Sequence, residues 1–194
     1  MSSAYVVEAN EIGLIANLAD LIEECLKDVQ LNSGQIHQKD EWCTPQVHKY
    51  FLPEQYAPNY AGLPPPRFGQ VNNASEAPSV TAYYPAVVLR LVDGTDDIDT
   101  DVYQSYSEVK VEIAILVSQE VLTERVEFAM LITKKIRTAL NNLMSGILAN
   151  QYMLQPAMDW QVDDNSASPQ FVVVLNTTWR YNRPPAKSIL NNME

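Results

Sequence analysis

The stretch from Val109 to Gly146 constrains the fold most. Val109, Val111, Ile113, Ile115 and Val117 alternate at period two, while the other face runs from Lys110 and Glu112 to Ala114 and Leu116. Such β-branched alternation predicts a half-buried strand. Val126, Met130, Ile132, Ile136, Leu140, Leu143 and Ile147 follow at spacings of three and four, predicting a long amphipathic helix that stops at Ser145-Gly146. A strand and a helix joined this closely must cover one another's apolar faces.

Earlier in the chain, Asn10 is a candidate N-cap for a helix over 10–30. Its stripe is Leu14, Ile15, Leu18, Leu21, Ile22, Cys25, Leu26 and Val29. Residues 31–85 then change character, holding eight of the twelve prolines, interleaved with Tyr50, Phe51, Tyr56, Tyr60, Phe68, Tyr83 and Tyr84. Proline at that density opposes helix and central strand, whereas the aromatics oppose a solvated linker. The segment reads as an extended arm lying on its own sheet or on a neighbouring subunit. Its aromatics are the candidate interface residues.

Ala86–Val92 is a short apolar run suited to a buried strand. Asp93-Gly94 opens an acidic loop with Asp96, Asp97, Asp99 and Asp101, and the next strand begins near Glu108. Met158, Trp160 and Val162 alternate in another strand. Asp163–Gln170 is a polar turn, and Phe171–Tyr181 is the last strand. The expected fold is α+β: a four-stranded, mainly antiparallel sheet of two hairpins, with an N-terminal and a long central helix on one face. The expected organisation is a single domain over 1–194, with the arm at 31–85 and a loose tail at 184–194.

Composition narrows function by class. The formal charge of −11 opposes a nucleic-acid-binding surface, which needs clustered Lys and Arg. It is compatible with DNA sliding past without adhering. No apolar run approaches the length of a membrane span, and residues 1–10 lack the pattern of a secretory signal. Two cysteines, Cys25 and Cys43, make no disulfide framework. Asp97, Asp99, Asp101 and Glu108 occupy positions 1, 3, 5 and 12 of an EF-hand-like loop, but Val102 stands where the sharp turn needs Gly. His37, Cys43, His48 and Cys25 lack the paired spacing of a zinc site. Hydrolase, metalloprotease and nucleotide-binding motifs are missing from the sequence. The expectation is no catalytic residue, no metal and no cofactor. Lys134, Lys135 and Arg137 suit the C-terminal half of a solvated helix.

Three stretches carry a family resemblance. The first is T-P-Q-V-H-K-Y-F-L-P-E at 44–54, and the second is Y-P-A-V-V-L-R-L-V-D-G-T-D-D at 84–97. The third joins I-R-T-A-L-N-N at 136–142, L-Q-P-A-M-D-W-Q-V at 154–162 and T-T-W-R-Y-N-R-P at 177–184. Together they resemble the tail terminator (tail completion) proteins of tailed bacteriophages. The resemblance implies a structural virion protein made in the bacterial cytoplasm and placed at the head–tail junction. It implies a homo-oligomeric ring, a hexamer in the family, whose partners are the tail tube protein and a neck or connector protein. DNA would pass through it without specific binding, with Asp93, Asp96, Asp97, Asp99 and Asp101 facing the lumen or the tube. Other neck proteins, such as a head-completion adaptor, share a similar small α+β fold and remain the alternative. A small acidic metal-binding module is the rival from another class.

Overall fold

The computed structural model describes residues 9–32, 42–50, 85–97, 105–118, 122–163 and 170–183. Helix α1 spans Glu11–Leu26 and opens as its sequence dictates: the Asn10 side chain accepts from the Gly13 N–H at 2.7 Å. Leu14, Ile15, Leu18, Ile22 and Leu26 are buried along one stripe, with Leu21 and Cys25 at its margin. A two-residue ladder pairs β1 (Leu31–Asn32) with β2 (Trp42–Cys43).

The main sheet has six strands. They are β3 (Gln46–Lys49), β4 (Ala86–Asp97), β5 (Ser105–Ser118), β6 (Ile147–Leu148), β7 (Tyr152–Val162) and β8 (Gln170–Arg183). Their spatial order is β3-β4-β5-β8-β7-β6, with β3 and β4 parallel and the other neighbours antiparallel. The sheet is curled into half a barrel. Helix α2 spans Leu122–Asn141 between β5 and β6 and packs with α1 on one face.

The expected four strands are all present, so the class α+β stands, but the sheet has six. The correction has two sources. β3 is only four residues long and lies in a Pro-rich segment, where period-two counting has too few positions to register. β6 is two residues long and sits between two tight turns, with positive φ at Ser145 and Gly146 before it and at Ala149 and Asn150 after it. α2 ends at Asn141, ahead of the expected stop at Ser145-Gly146, which instead belongs to a single 3-10 turn. Its buried stripe is also rotated: Arg125, Ala129, Ile132, Thr133, Ile136 and Leu140 face inward, while Val126 is 36% exposed. The segments 51–84, 98–104 and 184–194 lie outside the described residues, and with them the expectations for Phe51, Tyr56, Tyr60, Phe68, Tyr83, Tyr84, Asp99, Asp101 and the tail.

The core lies between the sheet and the helices. Val87 and Leu89 of β4, the odd residues Val109–Val117 of β5, and Val173, Leu175, Trp179 and Tyr181 of β8 meet the helical stripes there. Two tyrosines lock the helix layer to the sheet. Tyr152 Oη donates to the Asn10 carbonyl at 3.0 Å and lies 3.3 Å from the Asn10 N–H, while Tyr181 Oη donates to Glu11 Oε1 at 2.6 Å. Their rings meet edge to face with centroids 5.6 Å apart.

The opposite face of the sheet carries a second, smaller apolar cluster of Ala86, Val88, Ala114, Leu116 and Val172, with Val174 packed against it.

Candidate functional site

The acidic segment is the first place to look, and the structure places it differently from the expectation. Asp93, Asp96 and Asp97 are strand residues rather than loop, because β4 continues to Asp97 and stays paired with β5. Pairing runs Leu91↔Val111 and then Asp93↔Lys110, so Val92 is an extra residue in a β-bulge. The bulge reverses the alternation. Upstream, odd residues of β4 face the helices; downstream, Asp93 pairs with Lys110 on the face away from them.

That face divides into two halves. The half holding Ala86, Leu116 and Val172 is apolar. Beyond it runs a ladder of opposite charges: Arg90 pairs with Glu112, Asp93 with Lys110 at 3.5 Å, and Glu108 with Arg180 at 3.2 Å. The Arg180 guanidinium also sits 4.3 Å from the centroid of the Tyr106 ring. Asp96 accepts from the Ser107 hydroxyl at 2.7 Å. The ladder is therefore paired charge for charge, while Asp96 and Asp97 leave the described hairpin acidic on balance. Glu108, the twelfth position of the EF-hand-like spacing, is engaged by Arg180. Among the described residues no group of three or more His, Cys, Asp or Glu is placed to hold a metal ion.

Tyr50 is the one described member of the aromatic interface set. It lies half-buried against the main core, with φ at +72°, where the chain leaves β3. His48 is half-buried on β3, and burial pushes its imidazole below the ordinary value of 6.5. Burial raises the Cys25 thiol to about 11, which makes it a poor nucleophile and a poor ligand.

Sequence reasoning missed the exposed apolar side chains at the two sides of the sheet. On the β4 side, Leu91 and Val92 sit at the bulge, where a shallow groove runs from Glu11 of α1 to Asp93 and Asp96. On the other side, β6 covers only Tyr152 and Met153 of β7, so the outer edge of β7 from Leu154 to Val162 has no partner strand among the described residues. Met144, Ile147, Met153 and Trp160 stand exposed there. Trp160 shares its parity with Met158 and Val162, which pack on the core, yet it remains 42% exposed. Pro156 interrupts the pairing at a register shift between Leu154 and Met158, a common way of blunting a sheet edge. Alternation places Trp160 on the correct face, but no sequence signal says that the core ends short of it.

No protein-family model matches the sequence, and no curated protein matches it. Among solved structures, a chain described as "Virion of native gene transfer agent (GTA) particle" is similar to this one at 8% identity and a TM-score of 0.36. The alignment covers 88% of this chain and 97% of that one.

Proposed function

We propose that this chain is a non-enzymatic structural protein of a phage-like virion. In this reading it forms a closed ring that ends the tail tube and joins it to the neck. The observation that carries the ring is the pair of exposed apolar sites on opposite sides of one sheet: Leu91 and Val92 beside the β4 bulge, and Trp160 by the open edge of β7. Strands β5 and β8 separate them. Two different patches per subunit are what a heterologous, head-to-tail contact requires, and such contacts make a ring when the rotation between copies closes.

The family resemblance supports the assignment at the level of framework. Its quoted stretches supply β3, β4, the end of α2, most of β7 and the second half of β8. The net charge of −11 fits a wall past which DNA moves without sticking.

Native mass spectrometry of the purified chain tests the ring: a closed hexamer is the expected species, and Trp160→Glu and Val92→Glu should each reduce it to smaller forms. A strict monomer at every concentration, with or without purified tail-tube protein, would sink the ring. Binding to the tube protein separates a terminator from a head-completion adaptor, which would engage the portal side instead.

A further inference from the structure

The groove beside the β4 bulge has apolar walls and an acidic rim. Leu91 and Val92, 38% and 59% exposed, line it together with Val109, and its volume is about 330 Å³. Gly94 also lines it. A Cβ at Gly94 would meet the Glu108 carbonyl at 3.6 Å and Val109 Cγ2 at 3.7 Å, both ordinary contact distances. Packing within the subunit does not demand glycine there, so the missing side chain leaves space in the groove. The Glu11 and Asp96 carboxylates are held in place, the first by the Tyr181 hydroxyl at 2.6 Å and the second by the Ser107 hydroxyl at 2.7 Å. A carboxylate offers about four acceptor sites, so each can take a further donor.

We infer that this groove receives the Trp160 indole of a second copy of the chain, with the indole N–H donated to a rim carboxylate. The inference rests on the ring reading and names the contact that would hold it.

The choice of Trp160 follows from donor chemistry. An apolar groove with carboxylates at its rim is matched by a side chain that is apolar over its body and carries a donor at one end. Among the described large apolar side chains that stand exposed, Trp160 alone is aromatic and alone has an N–H; the others are Ile, Leu, Val and Met. It is 42% exposed, and its flanking Asp159 and Gln161 alternate to the opposite face of β7. Tryptophan is also the residue type most often found as the anchor of an interface, seated in a pocket that excludes water.

Register shows that the donor must come from another copy. Trp160 is in line with Leu175 and, through it, with Ile113, whereas Gly94 pairs with Val109. Both sites are thus on the helix side of the sheet. They stand three strand spacings apart, about 14 Å, and four residues apart along β5, about 13 Å more in the perpendicular direction. A side chain cannot cross that distance, so Trp160 cannot fill the groove of its own subunit. The contact is heterologous, as a head-to-tail ring requires.

Complementation in the full chain tests the contact. Gly94→Val fills the groove with a residue that strands favour, Trp160→Glu removes the indole, and thermal unfolding checks that both variants fold. Each alone should be monomeric in native mass spectrometry. An equal mixture should give a one-to-one heterodimer that grows no further, because one copy offers only an intact indole and the other only an intact groove. Hexamers persisting in Gly94→Val, a self-dimer of that variant through paired indoles, or a mixture without heterodimer would overturn the inference. If the intact chain is a hexamer, any of these results sinks the contact and leaves the ring; if the intact chain is a monomer, both fall.

Fluorescence supplies a readout that needs no groove variant. The emission of Trp160, taken as the intact chain minus Trp160→Phe, should move to shorter wavelength as the hexamer forms. Emission unchanged between monomer and hexamer would overturn the inference in favour of another occupant, such as Leu131 with the exposed Lys134 and Lys135 of α2. Trp160→Phe keeps a ring but loses the donor, and should weaken assembly by about tenfold or more per contact, as expected for a hydrogen bond to a charged acceptor.

Discussion

Trp179 is fully buried in β8, and its indole N–H has one partner, the Thr177 hydroxyl at 2.9 Å, which in turn donates to the Val111 carbonyl at 3.1 Å. Replacing Thr177 with Val keeps the shape and removes the acceptor, leaving a buried donor unpaired at a cost of about 1–3 kcal/mol. The urea midpoint of Thr177→Val should fall with the slope unchanged. Gly13 makes a second test at this scale. A Cβ there would lie 2.5 Å from Tyr152 Oη, the same hydroxyl that holds Asn10. Alanine ordinarily gains about 1 kcal/mol over glycine inside a helix, yet here overpacking by about 1–3 kcal/mol should win. Gly13→Ala should therefore destabilise, and adding Tyr152→Phe should restore part of the loss in thermal unfolding. Cys25 adds a pH-dependent readout. Its folded-state thiol sits at about 11 against an ordinary 9.0, so the stability it contributes is intact below pH 9 and is lost as pH rises toward 11. Thiol-reactive dye at pH 8 should label native protein far more slowly than urea-unfolded protein.

At the scale of elements, the long periodic segments were readable and the short ones were not. The α1 stripe from Leu14 to Leu26 and the inward face of β8 from Phe171 to Tyr181 are where alternation places them, because enough residues repeat for the period to show. β3 has four residues and β6 two, and both exist because a neighbouring strand offers a ladder, which is information held elsewhere in the chain. The rotation of α2 has the same origin. Arg125 is 5% exposed and occupies an inward position that no hydrophobicity pattern would give it. The candidate site was less legible than the fold: patterning marks which face is apolar, whereas exposure at Val92 and Trp160 depends on where covering elements stop. β3 also has a pH signature. His48 has a depressed folded-state value, so its contribution is present above pH 6.5 and lost as pH falls through that lower value. Amide protection factors, which remove the pH dependence of intrinsic exchange, should fall in β3 on mild acidification before those in β5.

For the whole molecule, the relevant quantity is how its two exposed sides meet their counterparts. The charge ladder of Arg90, Glu112, Asp93, Lys110, Glu108 and Arg180 is internally paired, and its exposed Asp93–Lys110 pair adds little stability. If contacts between copies are made by Val92 and Trp160, assembly should persist at high salt, since screening weakens exposed ion pairs and leaves apolar burial intact. Sedimentation at low and at high sodium chloride distinguishes this from a charge-driven ring, which would dissociate. The bulge gives a finer instrument. Because Val92 has no partner opposite it, deleting it leaves every other pairing from Ala86↔Leu116 to Asp97↔Tyr106 as it is. It is a supernumerary letter in an otherwise legible line. A protein lacking Val92 should melt where the intact chain does and yet lose the bend and the apolar side chain that the neighbour would read. Stability and assembly, usually entangled in an edge strand, are here separable by a one-residue deletion.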